Sequence, residues 1–174
     1  MQPNPTLLAF DTSAAHCAAA LLCAGQVVTR VDELAKGQAE HLMPMLEEML
    51  AAAKLDWAAL DGIGVGIGPG NFTGIRISLG AARGLALGLG KPAIGVNGFD
   101  ARAFQELLPY TATIPAPRNQ SYAQLFDTIG QSAPEQCDAP AGVQKPAADL
   151  IAAVAHIAAA RLGDPITRPA PLYI

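Results

Sequence analysis

The sequence predicts an α/β fold: a mixed sheet with helices packed on it. Three observations carry that prediction. The first thirty residues break into short apolar runs separated by turn formers, the pattern of antiparallel hairpins. Two segments then show apolar residues at helical spacing, and they alternate with short glycine-laced apolar runs, the pattern of parallel strands joined by helices. Finally, 51% of the 174 residues are hydrophobic and only 15% are charged, enough to bury a core.

Leu7 to Phe10 reads as a short buried strand, and the turn formers Asp11-Thr12-Ser13 follow it. Cys17 to Cys23 is a second strand, Ala24-Gly25-Gln26 a turn, and Val27 to Val31 a third strand. A helix is expected over roughly Gln38 to Lys54, where Leu42, Met45, Leu46, Met49, Leu50 and Ala53 form one stripe. Pro44 is tolerated best within a first turn, which predicts a start nearer His41 or Leu42.

Ile63 to Ile67 is an apolar strand whose glycines suit close approach by another backbone. A glycine-rich loop leads into a helix from about Thr73 to Leu89, and Gly80, Gly84 and Gly88 recur on it every fourth residue. Each costs roughly 1 kcal/mol against Ala inside a helix, so the stripe suggests a face flattened for close packing. Ala93 to Val96 is a further strand, giving the order βββ-α-β-α-β.

After Arg102 the pattern weakens under repeated prolines. One strand is expected around Ser121 to Phe126, a loop over 130–146, an alanine-rich helix from Ala147 to Leu162, and a non-helical tail. The expected organisation is one lobe over 1–102 and a shorter second lobe over 103–174.

Net charge is −4, which argues against a dedicated nucleic-acid surface. Residues 14 to 24 are apolar, but no Lys or Arg precedes Arg30 and Asp11 sits just before the run, unlike a secretory signal. Arg76, Arg83 and Lys91 interrupt the apolar run from Ile75 to Val96, so no membrane span is expected. Cys17 and Cys23 on one strand would lie ~20 Å apart, too far for a disulfide. Three cysteines without a CxxC pair fit a reducing compartment, and the cytoplasm is the expected location.

Asp11, Thr12 and Ser13 admit two readings. Hydroxyls and amides can face a phosphate while the carboxylate holds Mg²⁺ through water; alternatively, the three form a turn that satisfies its own backbone. Gly68-Pro69-Gly70-Asn71-Phe72-Thr73-Gly74-Ile75-Arg76 likewise suits either nucleotide contact at a helix start, with Gly68, Gly70 and Asn71 in play, or a tight scaffolding turn capped by Thr73. It has no Walker or GxGxxG pattern. Arg76 and Arg83 could grip an anion or form a solvated edge. The Leu/Met stripe serves a core or a partner; Met43 falls off it and is expected to be exposed. His16, His41 and His156 form neither HxxxH nor HExxH, GxSxG is missing, and no Cys lies in a nucleophile motif, so no catalytic or metal residue is assigned.

Leu7-Leu8-Ala9-Phe10-Asp11-Thr12-Ser13, Glu40-His41-Leu42-Met43-Pro44, the run 68–76, Gly84-Leu-Ala-Leu-Gly88 and Pro92-Ala-Ile-Gly-Val96 occur together and in this order. In these features the chain resembles the TsaB (YeaZ) family. The resemblance implies an actin-like ATPase (ribonuclease H-like) fold, with one complete lobe and a reduced second one. It implies a non-catalytic subunit of the machinery that adds threonylcarbamoyl to adenosine 37 of tRNA. That subunit pairs with a TsaD-like catalytic subunit and a TsaE-like ATPase, forms a homodimer in isolation, and meets tRNA only through the complex. It implies no cofactor of the chain's own, with weak ATP or ADP and Mg²⁺ at most at the level of the complex. The implied interface is the helix pair, here Leu42, Met43, Leu46, Met49, Leu50, Arg76, Gly80, Arg83 and Gly84. Two departures stand out: Asn71 where the family usually has Ser, and Pro115-Ala116-Pro117 where it typically has Asp-Ala-Arg. Competing readings are a glycopeptidase-like hydrolase or small actin-fold kinase, and a homodimeric adaptor unrelated to tRNA.

Overall fold

The computed structural model of the chain describes residues 4–165 and 167–174. Strands β1 (Leu7–Asp11), β2 (His16–Cys23) and β3 (Gln26–Glu33) form an antiparallel meander. Helix α1 (Gln38–Ala52) leads to β4 (Gly62–Gly66), and α2 (Phe72–Leu89) leads to β5 (Ala93–Val96). Both later strands run parallel to β1, giving the five-stranded order β3-β2-β1-β4-β5. This is the actin-like, ribonuclease H-like arrangement that the family resemblance implies, and it agrees with the βββ-α-β-α-β order read from the sequence.

Strand β1 is apolar without alternation because both faces of the sheet are covered. Leu8 and Phe10 point to one side, where they meet α1 and α2; Leu7 and Ala9 point to the other. Five α1 residues, Leu42, Met45, Leu46, Met49 and Leu50, are buried in the first of these cores. Full burial of one such side chain stabilises by about 2 kcal/mol. That burial carries the helix through Pro44, which lies inside it: α1 starts at Gln38 behind the left-handed Gly37, not near His41 as the proline suggested. The carbonyl that Pro44 leaves without a helical donor belongs to the exposed Glu40.

The opposite face is covered by α4 (Ala147–Ala160), the alanine-rich helix expected in the second lobe. A division at residue 102 is therefore not a packing boundary, because the helix beyond it completes the core of the first sheet. The close-approach glycine of β4 explains the fit. A Cβ on Gly64 would lie 3.0 Å from the Cβ atoms of both Ala158 and Ala9.

Helix α3 (Gly98–Ala103) leads into a small second sheet. Its strands are β6 (Tyr110–Ala116), β7 (Gln120–Asp127), β8 (Gly130–Gln131) and β9 (Glu135–Cys137), the last two both pairing with β7. Only β7 lies where the sequence pattern put a strand, and β9 falls within the expected loop. β6 escapes detection because it contains Pro115, which an edge strand tolerates. The core of this sheet is small: Phe99, Ala112 and Ile114, flanked by Tyr122 and Phe126.

Candidate functional site

Strands β1 and β4 are parallel neighbours, so the loops at their C-terminal ends leave the same edge of the sheet. Ligands of open α/β sheets bind outside such strand ends. Here the two loops are zipped together. The Ser13 amide donates to the Asp11 carboxylate at 2.5 Å, and the Asn71 amide donates to the Ser13 carbonyl at 2.7 Å. Thr12 is fully buried, and its hydroxyl donates to the Gly74 carbonyl at 2.6 Å.

The glycines are required by this closeness. A Cβ would lie 1.9 Å from the Thr12 carbonyl oxygen at Gly74, 2.6 Å from that of Ser13 at Gly70, and 1.7 Å from Asp11 Oδ2 at Gly66. Gly68 takes a left-handed φ of 91°. The helix cap is Asn71, not Thr73: its side-chain oxygen accepts from the Gly74 amide at 2.8 Å.

Asp11, Ser13, Gly68, Gly70 and Asn71 line one cleft of about 540 Å³, between the first sheet, α4 and the small second sheet. Of the six residues expected to face a phosphate, Thr12 is the exception. Its hydroxyl is turned inward, a correction to the sequence reading. The cleft also holds residues the sequence did not single out: His16, Arg102, Tyr122, Gln144 and Lys145. Arg102 donates to the carbonyl of Gly98 at 3.0 Å and to the side-chain oxygen of Gln144 at 3.0 and 3.2 Å. Burial lowers its pKa, while the negative charges of Asp11 and Tyr110 act the other way. Pro115 and Pro117 line the cleft as well.

The expected partner face divides. Leu42, Leu46, Met49 and Leu50 are 0–7% exposed and face the sheet. They belong to the core rather than to a surface, because the stripe that forms an amphipathic helix is the stripe it buries. Met43 is half-buried and lines a groove of about 500 Å³ between α1 and α2, with Trp57, Gly84, Leu85, Gly88 and Leu89. Gly80, Gly84 and Gly88 are exposed, and among the described residues a Cβ at any of them would meet nothing within 4 Å.

The two arginines of α2 serve the C-terminal tail. Arg83 Nε donates to the Pro169 carbonyl at 2.9 Å, and its Nη2 donates to the same oxygen. Arg76 is exposed with its guanidinium 3.8 Å over the Phe72 ring, and Phe72 packs on Tyr173 with centroids 5.3 Å apart.

All three cysteines are free thiols. Cys17 is buried; desolvation first, and then the charge of Asp32, push its thiol up to about 11. A thiol held protonated in this way is a core residue, not a nucleophile. Among the described residues no group of three His, Cys, Asp or Glu is placed to hold a metal ion, and no helix is long and apolar enough to cross a membrane.

Comparison with known proteins places this geometry. Residues 32–171 match the family model described as TsaD, tRNA N6-adenosine threonylcarbamoyltransferase. The "tRNA threonylcarbamoyladenosine biosynthesis protein TsaB" of Haemophilus influenzae is 42% identical over 101 residues, which are 58% of this chain and 42% of that protein. An uncharacterized protein of Mycobacterium tuberculosis is 33% identical over 160 residues, 88% of this chain and 74% of that one. The solved structure of YeaZ from Pseudomonas aeruginosa superposes with a TM-score of 0.77 at 26% identity, covering 98% of this chain and 100% of that one. The chain spans less than half the length of the curated TsaB relatives it matches. With that family model matched over residues 32–171, the chain belongs to this family, and within it the chain is similar to the TsaB (YeaZ) proteins.

Proposed function

We propose that the chain is a non-catalytic scaffold subunit of the complex that adds threonylcarbamoyl to tRNA. In this reading it pairs with a TsaD-like catalytic subunit and a TsaE-like ATPase in the cytoplasm, and pairs with itself when alone. The observation that carries the proposal is the outer face of α1 and α2. Gly80, Gly84 and Gly88 inside α2 each weaken the helix by roughly 1 kcal/mol, yet nothing among the described residues lies close enough to require them. A helix from outside, packing against a flattened surface, accounts for them. The apolar groove beside the glycines, with Met43 and Trp57 in its wall, gives such a helix something to bury against.

A net charge of −4 supports contact with tRNA through the partner rather than through this chain. ATP or ADP with Mg²⁺ is assigned to the complex as a whole.

The test is co-expression with the TsaD-like and TsaE-like subunits of the same organism, followed by size-exclusion chromatography with ATP present. The purified chain alone is expected to transfer no threonylcarbamoyl group. Gly84→Glu is expected to leave the chain folded, because its side chain enters open space, and to abolish co-elution with the TsaD-like subunit. Intact co-elution of the folded variant would move the interface off this face.

A further inference from the structure

The cleft contains two opposite charges that face it without meeting. Asp11 stands at the end of β1, where Oδ1 accepts the Ser13 amide and Oδ2 lies against the bare backbone of Gly66. Arg102 comes from α3 and has only neutral acceptors, the Gly98 carbonyl and the Gln144 side chain. Among the described residues no carboxylate lies within ion-pair distance of it. A guanidinium has five N–H donors, so these three bonds leave donors for another acceptor. The other cation at the cleft, Lys145, is already paired with Glu106 at 2.5 Å.

One part of the wall is apolar. Val96, Ala101, Ile151 and Val154 line the cleft and are 0–5% exposed. A space of about 540 Å³ lined by a few polar groups and by apolar side chains suits a small organic ligand.

We propose that this cleft binds a zwitterionic apolar amino acid, with its ammonium group on Asp11, its carboxylate on Arg102 and its side chain against Val96, Ile151 and Val154. A carboxylate matches the planar donor face of a guanidinium, and the ammonium supplies the positive charge Asp11 lacks. A nucleoside triphosphate fits less well. It would bring several negative charges to a cleft with one cation not yet paired and a carboxylate that repels them. Two donors that could cradle a phosphate are turned inward: the Asn71 amide to Ser13, and the Thr12 hydroxyl to Gly74.

The site shares no lining residue with the α1–α2 groove, so its test stands or falls separately from the scaffold reading. The full chain is titrated calorimetrically with leucine, isoleucine, phenylalanine and tryptophan. Leucinamide removes the carboxylate charge, N-acetylleucine removes the ammonium, glycine removes the apolar side chain, and MgATP probes the nucleotide alternative.

At least one apolar amino acid is expected to bind saturably, one per chain, with leucinamide, N-acetylleucine and glycine each weaker by about tenfold or more. Arg102→Gln should lose that affinity while leaving leucinamide binding unchanged, and Asp11→Asn should do the same with N-acetylleucine as its control. Circular dichroism checks folding. Should Arg102→Gln not fold, Arg102→Lys keeps the charge and is expected to weaken binding without abolishing it. The proposal is overturned if no amino acid saturates the chain by about 10 mM, well above the range of ordinary small-ligand sites. Equal binding of leucine and its two derivatives would overturn it too, as would MgATP binding in place of any amino acid.

Discussion

The five-stranded and four-stranded sheets of this molecule are built on opposite plans. The first is covered on both faces, and β1 alone sends Leu8 and Phe10 into one core and Leu7 and Ala9 into another. The second packs one face on α3 through a three-residue core, and strands β8 and β9 are two and three residues long. It leaves Leu125 and Ile129 exposed. Stability therefore concentrates in the first sheet, while the second supplies one wall of the cleft.

The largest expected effect tests the first half of that comparison. Leu46 is fully buried between α1 and the sheet. Leu46→Glu removes a core side chain and buries an unpaired carboxylate, which together should cost more than about 4 kcal/mol. The variant is expected to be unfolded or insoluble, seen as the loss of a cooperative melt. A folded Leu46→Glu protein would mean that the helix stripe is not the keystone of the larger core. The same substitution is a poor probe of partner binding, because it destroys the surface it would report on.

A smaller effect tests the other half. Ile114 is one of the three buried residues of the second sheet, at 4% exposure. Ile114→Ala is expected to cost about 2 kcal/mol, the low end for such truncations, because few neighbours surround the vacated space. If the two sheets differ as described, amide exchange should rise over β6 and β7 while β1 and β4 stay protected. Equal loss of protection across both sheets would show one cooperative unit instead.

The same contrast explains what was legible in the sequence. β1 to β5 and the two long helices follow from local periodicity, since each apolar stripe needs only its own spacing to be recognised. Pro44 obscured the start of α1 because a proline penalty is local, whereas the burial that outweighs it is tertiary. The alanine-rich α4 was readable as a helix, but not its destination. An alanine face fits wherever a backbone comes close, and Gly64 is the other half of that fit. The second sheet was mostly hidden: Pro115 masks β6, and runs of two or three residues carry no period. In the cleft, five of six expected residues gather because two neighbouring strands deliver them. Arg102 was missed because its partner Gln144 lies 42 positions along the chain, a relation that only the fold creates.

The smallest expected effect sits on the surface of the stronger sheet, where strong packing should not be mistaken for strong electrostatics. Asp32 on β3 accepts from Arg30 and lies 2.7 Å from His41 Nε2 on α1. The hydrogen bond from Arg30, aided by His41 and by both charges, holds its carboxyl below the usual carboxylate range. A depressed folded pKa means that the contribution is complete above the unfolded value of about 3.9 and is lost as pH falls through the folded one. With side-chain exposures of 35% for Arg30 and 26% for Asp32, solvent screening limits the contribution to about 0.2–1 kcal/mol. Asp32→Asn should therefore lower the melting temperature slightly and constantly above about pH 5, with the gap closing below about pH 4. Molar salt should shrink the gap as well, because the screening length falls to about 3 Å. A gap that persists at acid pH and in high salt would assign the role of Asp32 to packing between β3 and α1 rather than to its charge.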